Sequence, residues 1–449
     1  MQENKYNPAL FWFAMAVALC SLGLIAIGGL VTSHGVGMAV PDWPTSYGYN
    51  MFALPVSMWL TGGVFHEHTH RLWASCVGVL VVALTRWLGG RKSGVPLMVV
   101  GVAEIVAGQL LLLLGPEWKG GGHFLSGIGG VVLLAGIVWV RNGPAVRPLP
   151  ALGWLAFWLV QFQGLLGGLR VVLDAHVFAG TNLGLVFGVF HGCLAQVFLV
   201  LLGAIALMTS RWWIVAAGFQ PAVEPGFQPG GEARGTAGVV EDFKAGPGGR
   251  MPPSTAGKMP AATWLVLATT VLVFFQLLIG ATMRHQHAGL AIPDFPLAYG
   301  EWWPDMSPEA VARYNAARIE VSAHNPITFF QIGLQMAHRL TAVAILVAVG
   351  LCFWRARGDL MRKLCAGWLG LVLVQAGLGM WTVWSNKAAD IATLHVVFGA
   401  STLVSGALIS IIAVRFNFRC CSGAQFLASD AVLTGPVWPA DKNQAQSAS

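Results

Sequence analysis

Long apolar runs dominate this chain, and polar residues punctuate them. Ten runs read as helices: residues 10–31, 66–88, 95–114, 123–140, 151–173, 182–209, 262–283, 329–353, 364–384 and 391–414. About 20 apolar residues in an α-helix cross a hydrocarbon core of about 30 Å, so each run is long enough to span a membrane. The pattern stops between residues 211 and 262, where Gly, Pro and mixed charge recur without a period and predict a flexible linker. A polar stretch over 416–449 predicts a disordered tail.

The pattern also repeats. GGLVTSHGVGMAVPDWPTSYG, residues 28–48, leads to HEHTHRL at 66–72, and GATMRHQHAGLAIPDFPLAYG, residues 280–300, leads to QMAHRL at 335–340. Gln163 opens QGLLGGLRV before His191, and Gln375 opens QAGLGMWTV before His395. Two copies of one unit predict two pseudo-symmetric halves, residues 1–210 and 263–415. The runs within 95–140 have no counterpart in the second half. The expected fold is therefore an all-α integral membrane protein of about ten spans: two four-helix bundles and an inserted helical hairpin.

Composition removes the alternatives. With 56% apolar and 10% charged residues, the chain has far more apolar surface than a soluble domain needs. The first run is too long, and lacks a clear cleavage site, to be a signal peptide. The net charge of +7 comes mostly from loops on one side, while residues 32–65 carry no Lys or Arg. That bias is an orientation signal rather than a nucleic-acid surface: it predicts cytoplasmic termini and places both repeated loops on the outer face. None of the seven Cys lies in either loop, and no C-x-x-C occurs, so neither a loop disulfide nor a Cys metal site is expected. Ser307, Pro308 and Glu309 are helix-start signals and predict a short interfacial helix.

Four histidines carry the candidate chemistry: His70, His191, His338 and His395, all in the outer half of their helices. An imidazole in hydrocarbon is costly without a partner, and imidazole is the usual axial ligand of haem iron. Each has a small residue four positions on (Ala74, Ala195, Ala342, Gly399), on the same helix face, where a flat macrocycle can approach. Packing explains one such residue; four in a repeat point to two bis-His haem sites. Arg71 and Arg339 are candidates for haem propionates, with snorkelling at a helix end as the plain alternative. Glu67 precedes His70 by three residues, and Gln335 takes its place in the second half, which assigns any acid chemistry to the first half; an ordinary acid at a helix N-terminus is the alternative. Asp42 and Asp294 read as Asx-type turn residues. His34, His66, His68, His285, His287 and His324 read as solvent-accessible loop residues, since HEHTH lacks the H-E-x-x-H spacing. His123 opens the fourth run as a third-site candidate without a repeated partner.

The E-x-x-H-R element (Glu67, His70, Arg71), the later His338-Arg339, and one His per half after a Gln/Gly-rich helix resemble the heme A synthase family of the respiratory-oxidase assembly pathway. The resemblance covers roughly residues 10–90, 151–209 and 262–414. It implies two four-helix bundles in the cell inner membrane and oxidation of the C8 methyl of heme O to a formyl group. Successive hydroxylations and loss of water would give the aldehyde. It implies heme b as cofactor on His338 and His395, heme O as substrate on His70 and His191, and Glu67 as the nearby acid. Many bacterial relatives carry a cysteine pair in the outer loops, which this chain lacks. Heme O synthase or an oxidase assembly factor would suit the extra hairpin as a partner, and an oligomer is compatible. Two other readings use the same residues: a bis-His membrane cytochrome that only passes electrons, and a transporter.

Overall fold

A computed structural model of the chain describes residues 6–115, 118–138, 149–178, 180–218, 261–317 and 326–416. All ten predicted helices form: α1 (Pro8–Ser33), α2 (Gly62–Gly89), α3 (Gly94–Leu114), α4 (Lys119–Ile137), α5 (Leu149–Val172), α6 (Leu183–Thr209), α7 (Ala261–His285), α8 (Phe329–Arg355), α9 (Asp359–Trp384) and α10 (Ala389–Phe416). They make nine continuous apolar segments long enough to cross a membrane among the described residues, because α2 and α3 join through a single 3-10 turn. The protein is an all-α integral membrane protein.

Local chemistry sets the helix ends. Asn7 caps α1 through Leu10 N–H (3.2 Å), with Pro8 in the first turn where its missing donor costs nothing. Asn182 caps α6 through Leu185 N–H (3.1 Å), and Thr328 with Gln331 forms a capping box on α8. The expected interfacial helix forms over Pro308–Ala317, with Ser307 Oγ accepting from Ala310 N–H; residues 318–325 lie outside the described set. The linker expected from residue 211 opens instead with a helix, Arg211–Gly218. Residues 219–260, and the tail from 417, are outside the described residues.

The helices pack as two equivalent rings. α1 packs on α2 and α6, and α5 on α2 and α6; likewise α7 packs on α8 and α10, and α9 on α8 and α10. The rings meet through α1 on α10, α6 on α10 and α6 on α7. That is the contact set of a pseudo-twofold axis: the first and third pairs exchange under it and the second maps onto itself.

Each ring is packed solid at the end away from the repeated loops. Leu10, Val17, Val81, Leu84, Leu202 and Ile205 fill the first, and Val266, Val349, Met361, Trp368, Ile409 and Ala413 the second. The polar residues of interest lie at the loop end.

The extra hairpin α3–α4 packs beside α2 and α5, where Val82, Leu97, Val132 and Phe157 form a buried cluster. Its two backbones touch at three levels, Gly94 on Gly136, Gly101 on Gly129 and Gly108 on Gly122. A Cβ at Gly101 would lie 2.5 Å from Leu133 N, so only glycine permits this approach. Arg86, buried at the far end of α2, donates to Ala135 O (3.1 Å) and Val138 O (2.9 Å), which ties the last turn of α4 to the bundle.

Candidate functional site

The two repeated loops adopt one structure. Asp42 accepts from Tyr47 N–H (2.6 Å) and Gly48 N–H (2.9 Å); Asp294 accepts from Tyr299 N–H (2.8 Å) and Gly300 N–H (2.8 Å). These bonds reach five and six residues ahead, so the carboxylates close a wider loop than the Asx turn expected from sequence. Tyr47 and Tyr299 take positive φ (53° and 57°), and their hydroxyls donate to Ala39 O and Ala291 O. Burial works against the Asp42 carboxylate, but hydrogen bonds from Thr45, Gly48 and Tyr47 outweigh it and hold its pKa below the usual carboxylate value.

Arg71 and Arg339 brace these loops. Arg71 donates to Asp42 O (2.6 Å), Thr45 O (3.0 Å), Val40 O (2.8 Å) and Glu67 Oε1 (2.7 Å). Arg339 donates to Asp294 O (2.6 Å) and Leu297 O (2.9 Å) and lies over the Phe295 ring. Both guanidinium groups are directed at loop carbonyls, the role that neither sequence reading gave them.

Glu67 and Gln335 are structural equivalents. Glu67 Oε2 accepts from Val40 N–H (2.8 Å) and Gln335 Oε1 from Ile292 N–H (2.6 Å), the same bond in each half. Both side chains are buried. The acid adds an ion pair to Arg71, whereas the amide donates to Gly289 O and Ile292 O.

The four histidines occupy matched places. His70 on α2 and His191 on α6 sit on opposite corners of the first ring, as do His338 on α8 and His395 on α10 in the second. Each ring rests on a glycine of an adjacent helix: His70 on Gly28, His191 on Gly167, His338 on Gly280 and His395 on Gly379. A Cβ at those glycines would meet the imidazole Cε1 at 2.9, 3.2, 3.2 and 3.0 Å respectively. Gly28 matches Gly280 and Gly167 matches Gly379 in the repeat, so histidines lie on one diagonal of each ring and glycines on the other.

The ring centroids of His338 and His395 are 6.3 Å apart. A metal ion held about 2 Å from a nitrogen of each imidazole sets the centroids about 6 Å apart, so this pair fits one metal between them. His395 Nδ1–H donates to Gln375 O (3.2 Å), which fixes the tautomer and leaves the Nε2 lone pair to a ligand in place of its 3.5 Å contact with Gln375 Nε2. Nδ1 of His70, His191 and His338 is buried without a partner among the described residues. The rings of His70 and His191 still interact with the backbone of Leu24 and Gln163, as His395 does with Gln375. Gln163 donates to His191 O (3.1 Å) and Gln276 to His338 O (2.9 Å), anchoring both helices at the ligand level.

Several expectations change. The small residue four positions after His395 does not leave open space: over Gly399, Gln375 and Leu277 lie 3.1 Å from a Cβ placed there. The shelf glycines, on partner helices, make room for the imidazoles themselves. α2 begins at Gly62, a turn earlier than expected, so HEHTH is helical. His68 is buried, bonded to Ser46 (3.3 Å), and His66 stacks on His34 at 4.6 Å. His285 ends α7 and reaches the first ring, packing on Gly188 of α6. His123 is exposed on α4, and His324 is outside the described residues. Gln276 and Arg170 went unnoticed, since nothing marks them until the helices are placed.

Fold and site together define a class: a helical membrane protein of two fused, equivalent bundles, each presenting a histidine pair under a braced loop. Comparison with known proteins narrows it. Residues 122–409 match the model of the cytochrome oxidase assembly protein family, and the chain belongs to that family. It is 30% identical to the heme A synthase of Caulobacter vibrioides over 159 residues, 34% of this chain and 42% of that one. It is 32% identical to the heme A synthase of Shewanella oneidensis over 146 residues, 32% and 42% of the two chains. With the heme A synthase of Lysinibacillus sphaericus it shares 22% identity over 401 residues, 88% of this chain and 91% of that one. The chain thus spans less than half of the first two relatives and nearly all of the third.

Proposed function

We propose that this chain is a heme A synthase, an oxidoreductase that converts the C8 methyl group of heme O to a formyl group for cytochrome oxidase assembly. The observation that carries the reading is the histidine pair set on glycine shelves in both bundles, within a chain whose relatives bear that name. In the second bundle, His338 and His395 hold heme b; the 6.3 Å spacing and the Nδ1–H bond of His395 to Gln375 O support that assignment. Bound there, heme b supplies one-electron transfer.

In the first bundle, His70 and His191 hold the substrate heme O. Arg71 and Glu67 keep the loop of residues 34–48 closed over this pocket, which limits water at the reacting methyl. Glu67 is the acid of the site. Gln335 shows that an amide suffices to hold such a loop, so burying a carboxylate there costs desolvation for a purpose beyond the loop. The protein lies in the cell inner membrane with both termini cytoplasmic and the loop end outside, in keeping with the lack of Lys and Arg in residues 32–65. Heme O synthase and oxidase assembly factors are its expected neighbours in the bilayer.

The test is co-expression with a heme O synthase in a host lacking heme A, followed by haem extraction and mass spectrometry. A heme A peak or its hydroxylated intermediate is expected. Heme O left unchanged beside bound heme b, in folded protein supplied with reductant and oxygen, would overturn the reading in favour of an electron carrier.

A further inference from the structure

Arg170, at the loop end of α5, stands out by what it lacks. Among the described residues its guanidinium has no hydrogen bond and no ion pair. It lies against the loop backbone at Gly37, where a side chain would collide with Nη2, and within electrostatic reach of His70, His191, His285, Glu67 and Asp174. Of the two carboxylates within its reach, Glu67 is bonded to Val40 N–H and Arg71, and Asp174 forms no ion pair with it. A mostly buried guanidinium with five donors and no acceptor calls for an anion from outside the chain.

The second bundle supplies a companion. His285 packs on α6 at Gly188 through its Cε1 edge, three residues before His191 and so about one turn nearer the loops. Its Nδ1 and Nε2 would lie 3.1 and 3.2 Å from a Cβ at Gly188, a contact that only glycine allows. The preceding Arg284 is tied to α1 through Gly29 O and Ser33 Oγ (2.8 Å), which fixes the end of α7 against the first bundle. The repeat places Thr382 where the first half has Arg170, and Ser33 where the second has His285. The device exists at one pocket only.

We propose that Arg170 and His285, one from each half, anchor the carboxylate groups of the amphiphilic macrocycle held by His70 and His191. The proposal rests on the haem reading of the first pocket and assigns the propionate side of that ligand. It gives to Arg170 and His285 the role that the sequence offered to Arg71. An arginine fork matches a carboxylate in two parallel bonds, and an imidazole N–H supplies a third. The apolar remainder of the ligand then faces the bundle interior.

The experiment is a spectroscopic titration of the purified full chain with iron protoporphyrin and with its dimethyl ester. Binding lost in His70→Ala is assigned to the first pocket, and binding lost in His338→Ala to the second. At the first pocket, the free acid should bind roughly ten- to a hundredfold more tightly than the ester. Arg170→Gln should abolish that preference, Arg170→Lys should keep part of it, and neither should change second-pocket binding, which reports an intact fold. Equal binding of acid and ester by the unaltered chain at the first pocket would overturn the anchor, and needs no variant. So would a preference that survives Arg170→Gln combined with His285→Asn. Absence of any His70-dependent binding would instead remove the pocket reading itself, a different signature.

Discussion

Glu67 and Gln335 sit at the same turn of equivalent helices and accept the same loop N–H, yet one carries a charge. Changing Glu67→Gln gives the first half the residue that already works in the second. Loop and haem binding should persist, while conversion of heme O should fall at least about tenfold if the charge acts in the reaction. Unchanged conversion, measured by mass spectrometry of extracted haem beside the haem-to-protein ratio, would reduce Glu67 to a loop anchor. The glycine shelves allow a second substitution. Gly379→Val puts a branched side chain where a single Cβ already meets the His395 ring at 3.0 Å, so the imidazole must move. The second site should lose its six-coordinate absorption spectrum while the first keeps its own. At this scale the histidines were legible, because an intramembrane imidazole is costly and each recurs in the repeat. Their shelves were not: Gly28 and Gly167 matter through helices distant in sequence, and the i+4 rule that pointed to Gly399 describes only a helix's own face.

The hairpin was legible as an element without a counterpart, but how it holds together was not recognised, although the signal is plain. Gly94, Gly101 and Gly108 recur every seventh residue on α3, as do Gly122, Gly129 and Gly136 on α4. A seven-residue spacing keeps one face of each helix toward the other. Gly101→Leu should force the backbones apart and lower the thermal midpoint in detergent, since overpacking costs about 1–3 kcal/mol. Gly130→Leu, at a position with nothing within 4 Å of an added Cβ, should leave the midpoint unchanged. Equal effects would mean that the close approach carries no stability. Ends were harder to place than middles. Helix α2 starts a turn early because the pair Gly62–Gly63 has poor helix propensity and reads as loop, yet both belong to the helix that follows N-cap Thr61.

At the scale of the molecule, the repeated motif predicts two equivalent halves, and the helix contacts form two rings related by pseudo-twofold pairs. What repetition could not reveal is where the halves differ: His285 and Arg284 replace small polar residues and reach across the axis, so the first half does not stand alone at its loop end. The contact between α1 and α10 has another consequence. Ser33 meets Thr393 across 360 residues of chain, α1 against α10. At roughly 5–20 residues per second of synthesis, about 20–70 s separate the two partners' emergence. Through that interval the face of α1 that carries Gly29 and Ser33 lies open to lipid, and the seam between the two halves closes only once α10 has emerged.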